Sequence, residues 1–199
     1  QTLLSFGMIA TLWAASRGVM AVIRGVNKAY GVDEKRSFLL TRSMSVIYIF
    51  IFVSVIILTF SLVVFGKHLG TLLFEWLHIS YEFEYVWTMV QYAIPLTVMI
   101  VLFIFLYKTA PNEKVAWKEV LPGALFSTFG WLATSTLFSL YVTHFANYSK
   151  TYGSIGGIIV LLLWLYISSI IVLLGGELNA AIKEWRNNRI ITVPKQTEE

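Results

Sequence analysis

From Ile155 to Leu174 the chain runs for twenty residues without a charge, and about 20 apolar residues are what a helix needs to cross a bilayer. Inside lipid a chain must satisfy its backbone polar groups internally, so a run of this kind admits a membrane helix and little else. The run ends in GGELNAAI, which places Glu177 before the apolar character has ended. An ionisable group at that depth faces protein or a water-filled cavity, so Glu177 is expected to have a partner or a task.

Four more apolar segments are long enough to do the same, the first of them interrupted by Arg17. The expected spans are 3–23, 44–65, 85–107, 120–144 and 152–182, each long enough to cross as a helix, the last two with some tilt. A hydrophobic content of 57%, a charged content of 13% and a mean hydropathy of +0.73 agree with this. The expected fold class is all-α, a polytopic transmembrane helical bundle of five helices. Residues 1–185 would form one transmembrane domain and 186–199 a cytoplasmic tail. The longest polar stretches are too short to bury a core of their own.

Basic residues orient membrane helices, and they alternate here. Arg24, Lys28, Lys35, Arg36 and Arg42 follow the first segment, Lys108, Lys114 and Lys118 the third, and Lys183, Arg186, Arg189 and Lys195 the fifth. The other two connections hold Lys67 and Lys150 with the three histidines, His68, His78 and His144. This alternation puts the C-terminus in the cytoplasm and Gln1 outside. A protein with a cytoplasmic N-terminus would then need a sixth span upstream. A net charge of +4 is read as this positive-inside pattern rather than as a nucleic-acid footprint, so no nucleic-acid partner is expected.

Helical spacing suggests which faces pack. Gly123, Ser127, Gly130 and Thr134 form a small-residue seam in the fourth segment, the kind of stripe along which membrane helices approach closely. Tyr166, Ser169, Leu173, Glu177 and Ala180 share a face of the fifth. Arg17 and Arg24 lie on the alanine stripe of the first. By the topology above, Arg17 and Glu177 both fall in the inner leaflet, where they either pair, because an unpaired buried charge costs several kcal/mol, or snorkel separately to the cytoplasmic headgroups. Pro95 removes a backbone hydrogen bond from the carbonyl of Gln91, which makes that pair a candidate kink or gate in the third segment. The candidate binding set is Arg17, Arg24, Tyr166, Ser169, Glu177 and Asn179.

Several chemistries lack their residues. With no cysteine there is no disulfide, cysteine-metal or thiol chemistry. The histidines are scattered, with no HxH or HExxH spacing, so no metal site and no cofactor is expected. Walker, Rossmann and GxSxG patterns are missing. Ser127, Ser168, Ser169 and Glu177 have no identifiable catalytic base, so no catalytic residue is assigned.

Three stretches, LWAASRGVMAVIRGVNKAYGVDEKRSF, YKTAPNEKVAWKEVLPGALF and YGSIGGIIVLLLWLYISSIIVLLGGELNAAI, resemble the YihY/BrkB family of bacterial inner-membrane proteins. The positions that match its pattern are Trp13, Ser16, Arg17, Gly18, Asn27, Tyr30, Gly31, Pro111, Pro122, Gly123, Tyr152, Gly153, Trp164, Glu177, Leu178 and Asn179. The resemblance implies about six membrane helices in the bacterial cytoplasmic membrane. It also implies a possible transporter role, which for some members is linked to envelope lipids. The ribonuclease BN label of some members is set aside, because five apolar segments provide neither metal ligands nor an RNA-binding domain. The expected function is movement of a lipid or small amphipathic solute, with membrane lipids and a second copy of the chain as partners. The alternative is a scaffold that positions envelope-synthesis or division proteins.

Overall fold

The computed structural model describes residues 2–77, 83–144 and 147–192. They form five helices: α1 (Thr2–Ala29), α2 (Phe38–Leu77), α3 (Phe83–Thr109), α4 (Trp117–His144) and α5 (Asn147–Thr192). All five are long and apolar enough to cross a membrane. The fold is all-α, as the apolar runs require. Their outward apolar side chains are exposed throughout, with Ile56, Leu58 and Phe60 on α2 at 64%, 69% and 68%. An apolar surface on this scale is a lipid-facing one.

The helices overrun the expected spans. Ser37 caps α2, its Oγ accepting from Leu40 N at 3.3 Å, so the helix begins at Phe38, six residues before the apolar run does. At the other end α2 passes Phe65 and continues to Leu77. α5 likewise passes Ile182 and takes in residues 183–192, part of which the sequence assigns to the tail. Apolar content marks where a helix enters lipid and says nothing of where it ends. The extension is held by Lys183 bonded to Glu113 and Arg186 bonded to Glu119. Of the expected connection over 66–84, residues 78–82 lie outside the described residues, as does the tail beyond Thr192.

By its contacts the chain divides into two compact units, residues 1–21 with 36–102, and residues 22–35 with 103–199. In the first, Arg42 of α2 ties to α1: its guanidinium lies 3.7 Å from the centre of the Trp13 ring and donates to the Trp13 carbonyl at 3.2 Å. Farther along, Trp87 of α3 donates to the Gly66 carbonyl of α2 at 2.7 Å. The Gln91 amide donates to the Leu62 carbonyl at 3.5 Å. A Cβ on Gly70 would stand 2.5 Å from the Trp87 ring, so this α2–α3 seam needs its glycine.

In the second unit α4 packs along α5. A Cβ on Gly123 would meet the Gly175 carbonyl, and one on Gly175 would meet the Ser127 hydroxyl. The two backbones approach as closely as small residues permit. The carboxylate of Glu119 opens α4 by accepting from Ala116 N at 3.0 Å, one arm of a capping box.

Candidate functional site

The site lies at the end of the second unit where α1 stops. α1 ends in a Schellman turn: Gly31 N donates to the Lys28 carbonyl at 3.0 Å and Val32 N to the Asn27 carbonyl at 2.9 Å. Gly31 sits at φ +64°, the left-handed conformation that this turn demands and glycine adopts without strain. The turn is then tied to the α3–α4 connection. Asn27 Nδ2 donates to Glu34 at 2.8 Å, while its Oδ1 accepts from Asn112 N at 2.7 Å. Asn112 in turn donates to the Asp33 carbonyl at 3.1 Å. Pro111 ends α3 just beforehand, so Asn112 and Glu113 leave the helix and meet α1.

Between this turn and α5 is a cavity of about 520 Å³ lined by Lys28, Ala29, Tyr30, Gly31, Glu113, Glu177, Ala180, Ala181, Lys183, Glu184, Asn187 and Asn188. Glu177, Ala181, Glu184 and Asn188 recur at steps of three and four residues and so share one face of α5. Ala180 and Ala181 keep that face low between two carboxylates. One wall is fixed by Lys183, whose Nζ meets Glu113 Oε1 at 2.5 Å and stands 5.6 Å from the centre of the Tyr30 ring. The Tyr30 hydroxyl is buried and makes no hydrogen bond among the described residues. Burial, the neighbouring Glu113 carboxylate and Tyr107 hold its pKa above the ordinary phenol value, so it keeps its proton.

Of the expected binding residues, this cavity takes Glu177. Tyr166 and Ser169 share its face of α5 but lie deeper along the helix and exposed, Tyr166 at 64%. The Ser169 hydroxyl donates to the Leu165 carbonyl at 2.8 Å. Arg24 is exposed on α1. Arg17 is exposed on the part of α1 that belongs to the first unit, whereas Glu177 and its cavity belong to the second.

Asn179 points the other way, buried against α4. Its Oδ1 accepts from Gly123 N at 2.6 Å and its Nδ2 donates to the Val120 carbonyl at 3.2 Å. Beside it the Tyr107 hydroxyl donates to the Val172 carbonyl at 2.6 Å and shares a 2.6 Å hydrogen bond with Ser127 Oγ. Gly123, Ser127 and Gly130 therefore face α5, Gly130 toward Ile171. Thr134 is half-buried. Gln91 and Pro95 lie on α3 in the first unit, where Gln91 bonds to α2.

A second cavity, of about 460 Å³, lies toward the other end of α4 and α5. It is lined by Ser135, Phe138, Ser139, Val142, Thr143, Gly157, Val160, Leu161 and Trp164. Trp164 Nε1 donates to Ser135 Oγ across it at 3.3 Å. Among the described residues no three His, Cys, Asp or Glu side chains are grouped as a metal site would require.

The sequence does not single out Lys28, Tyr30, Glu113, Lys183 and Glu184 as binding residues. The signal available was the match of Asn27, Tyr30, Gly31 and Pro111 to one family pattern, at the two turns that the structure joins.

Five long apolar helices with a charged cavity at one end define a polytopic helical membrane protein. The model for the BrkB virulence-factor family matches residues 1–198, and the chain belongs to that family. A ribonuclease-like protein of Bacillus subtilis, YfkH, is 47% identical over 180 residues, which are 90% of this chain and 66% of the relative. UPF0761 membrane proteins are more distant. That of Pseudoalteromonas translucida is 43% identical over 45% of this chain and 30% of its own length. That of Tolumonas auensis is 39% identical over 44% and 29%. The chain thus spans less than two thirds of these relatives' lengths. No solved structure matches it.

Proposed function

We propose that the chain works in a transporter-like way, moving a lipid or small amphipathic solute across or within the bacterial inner membrane, with its C-terminus in the cytoplasm. The observation that carries this is the 520 Å³ cavity that Glu177 lines together with Lys28, Tyr30 and Glu184. A carboxylate at the end of a membrane helix, in a cavity walled by charges of both signs, is suited to hold the polar part of a cargo whose apolar part stays in lipid. The exposed stripe of Tyr166 and Ser169 continues from Glu177 along α5 toward the lipid. On α4, Ser135, Ser139 and Thr143 supply hydroxyls to the second cavity, a polar foothold farther across the bilayer. The basic residues gathered at the Glu177 end favour placing that end in the cytoplasm.

The partners in this reading are membrane lipids and a second copy of the chain, with no nucleic acid. The word ribonuclease in the name of the Bacillus relative belongs to that protein. The test is exchange of a headgroup-labelled lipid between leaflets of liposomes that hold the full-length protein, with Glu177→Gln beside the parent. Exchange accelerated by the parent and lost in the variant is the expected result. Well-folded parent protein without acceleration would overturn lipid movement and turn attention to a scaffold role.

A further inference from the structure

We infer that the Glu177 cavity selects a zwitterion that carries a primary ammonium and a phosphate ester, the chemistry shared by an ethanolamine phospholipid headgroup and its free glycerol ester. This rests on the preceding reading and names its cargo class. The charges of the lining are sorted. Lys183 is already committed to Glu113 at 2.5 Å. Glu177, Glu184 and Lys28 have no ion pair among the described residues, and all three line the cavity. The groups left to meet a ligand are thus two carboxylates and one ammonium.

Their placement separates the two signs. Glu177 and Glu184 lie two turns apart on α5, about 10 Å along the axis, with Ala180 and Ala181 as a low floor between them. Lys28 and Tyr30 come from the opposite wall, the α1 turn. Lys28 is the lining cation without an ion pair among the described residues, so it is the group on that wall that can meet an anion. A ligand that satisfies both walls has its cation over α5 and its phosphate toward the α1 turn.

The alternatives fit less well. A purely anionic headgroup would meet three glutamates against two lysines, and like charges brought together in a partly desolvated site repel. A quaternary ammonium has no N–H to donate to Glu177 or Glu184 and prefers an aromatic cage, whereas the one ring here, Tyr30, already faces Lys183. A primary ammonium donates three hydrogen bonds, and charge-assisted bonds to carboxylates are the strong ones.

The test is calorimetric titration of the purified full-length protein with soluble short-chain ethanolamine, choline and glycerol phospholipids, and separately with glycerophosphoethanolamine. The ethanolamine lipid should bind about tenfold more tightly than the glycerol lipid, the size of one charge-assisted hydrogen bond. Glu177→Gln should erase that preference by weakening the ethanolamine lipid without weakening the glycerol lipid. Lys28→Gln, which keeps much of the side chain's length, should weaken ethanolamine lipid and glycerophosphoethanolamine alike by about fivefold. A lipid that binds far more tightly than its glycerol ester identifies the membrane as the source of the ligand; equal binding identifies a soluble ester. Equal or tighter binding of the glycerol lipid, or a preference that survives Glu177→Gln, would overturn the proposal. Leaflet exchange without headgroup preference would overturn it too, and would leave lipid movement standing.

Discussion

Asn179 and Gly123 hold α5 to α4 at their closest approach: the Asn179 Oδ1 accepts from the Gly123 backbone N at 2.6 Å, and the same amide donates to the Val120 carbonyl at 3.2 Å. Asn179 is fully buried, so its polar atoms have only these partners to replace water or lipid. Asn179→Leu keeps the size and removes both buried hydrogen bonds across the seam, and it should destabilise the protein by about 1–3 kcal/mol. Thermal melting in detergent, read by loss of the monodisperse peak, would check this. Asn179→Asp should be at least as costly, because it buries a carboxylate against the Val120 carbonyl.

Gly175 offers an independent probe of the same seam. A methyl group there meets the hydroxyls of both Ser127 and Tyr107, and overpacking of this kind costs about 1–3 kcal/mol. Gly175→Ala should lower the melting temperature. Gly157→Ala, where an added Cβ meets nothing within 4 Å, should be neutral or slightly stabilising, because glycine is a poor helix former.

Glu119 has two duties that substitution can separate. One oxygen caps α4 at Ala116 N and the other meets Arg186. The Arg186 side chain is 50% exposed, so solvent screens the pair and it should contribute little, about 0–1 kcal/mol. Arg186→Ala and Glu119→Gln, which keeps a capping oxygen, should both be nearly silent in melting experiments. Glu119→Ala removes the cap as well and should cost about 1 kcal/mol more.

The retained proton of Tyr30 gives a pH signature. Its folded pKa is raised by burial, then by Glu113 and Tyr107, so above the ordinary phenol value of about 10 the unfolded chain loses a proton that the folded protein keeps. The Tyr30 contribution is therefore intact below about pH 10 and falls as pH rises beyond it. Melting followed from pH 8 to 11 should decline less steeply in Tyr30→Phe than in the parent. Identical slopes would contradict a proton held by the fold.

The five helices and their order were legible because lipid imposes a length and a composition that each run satisfies. Glu177 was legible for the same reason, as a charge in an otherwise apolar stretch. Its surroundings were not. Lys28, Tyr30 and Glu113 reach the cavity because Asn27 and Asn112, 85 positions apart, bond to one another, and no local pattern announces such a pairing. Asn179 looks in the sequence like a ligand-binding amide, and only the neighbouring backbone of α4 shows that it is a clamp. Tyr166 and Ser169 do share the face of Glu177, yet a helical repeat cannot tell a face that lines a cavity from one that meets lipid.

The most direct test of a polar cavity at Glu177 uses the absence of native cysteine. Single substitutions Ala181→Cys, on the cavity floor, and Leu165→Cys, exposed on the apolar length of α5, would be treated with a membrane-impermeant maleimide in inside-out vesicles and in sealed right-side-out ones. Rapid labelling of Ala181→Cys in inside-out vesicles alone, with Leu165→Cys inert in both, is the predicted result. An unreactive Ala181→Cys, or labelling only from the other side, would contradict a water-accessible cavity at the cytoplasmic end, and with it the transport reading built on Glu177.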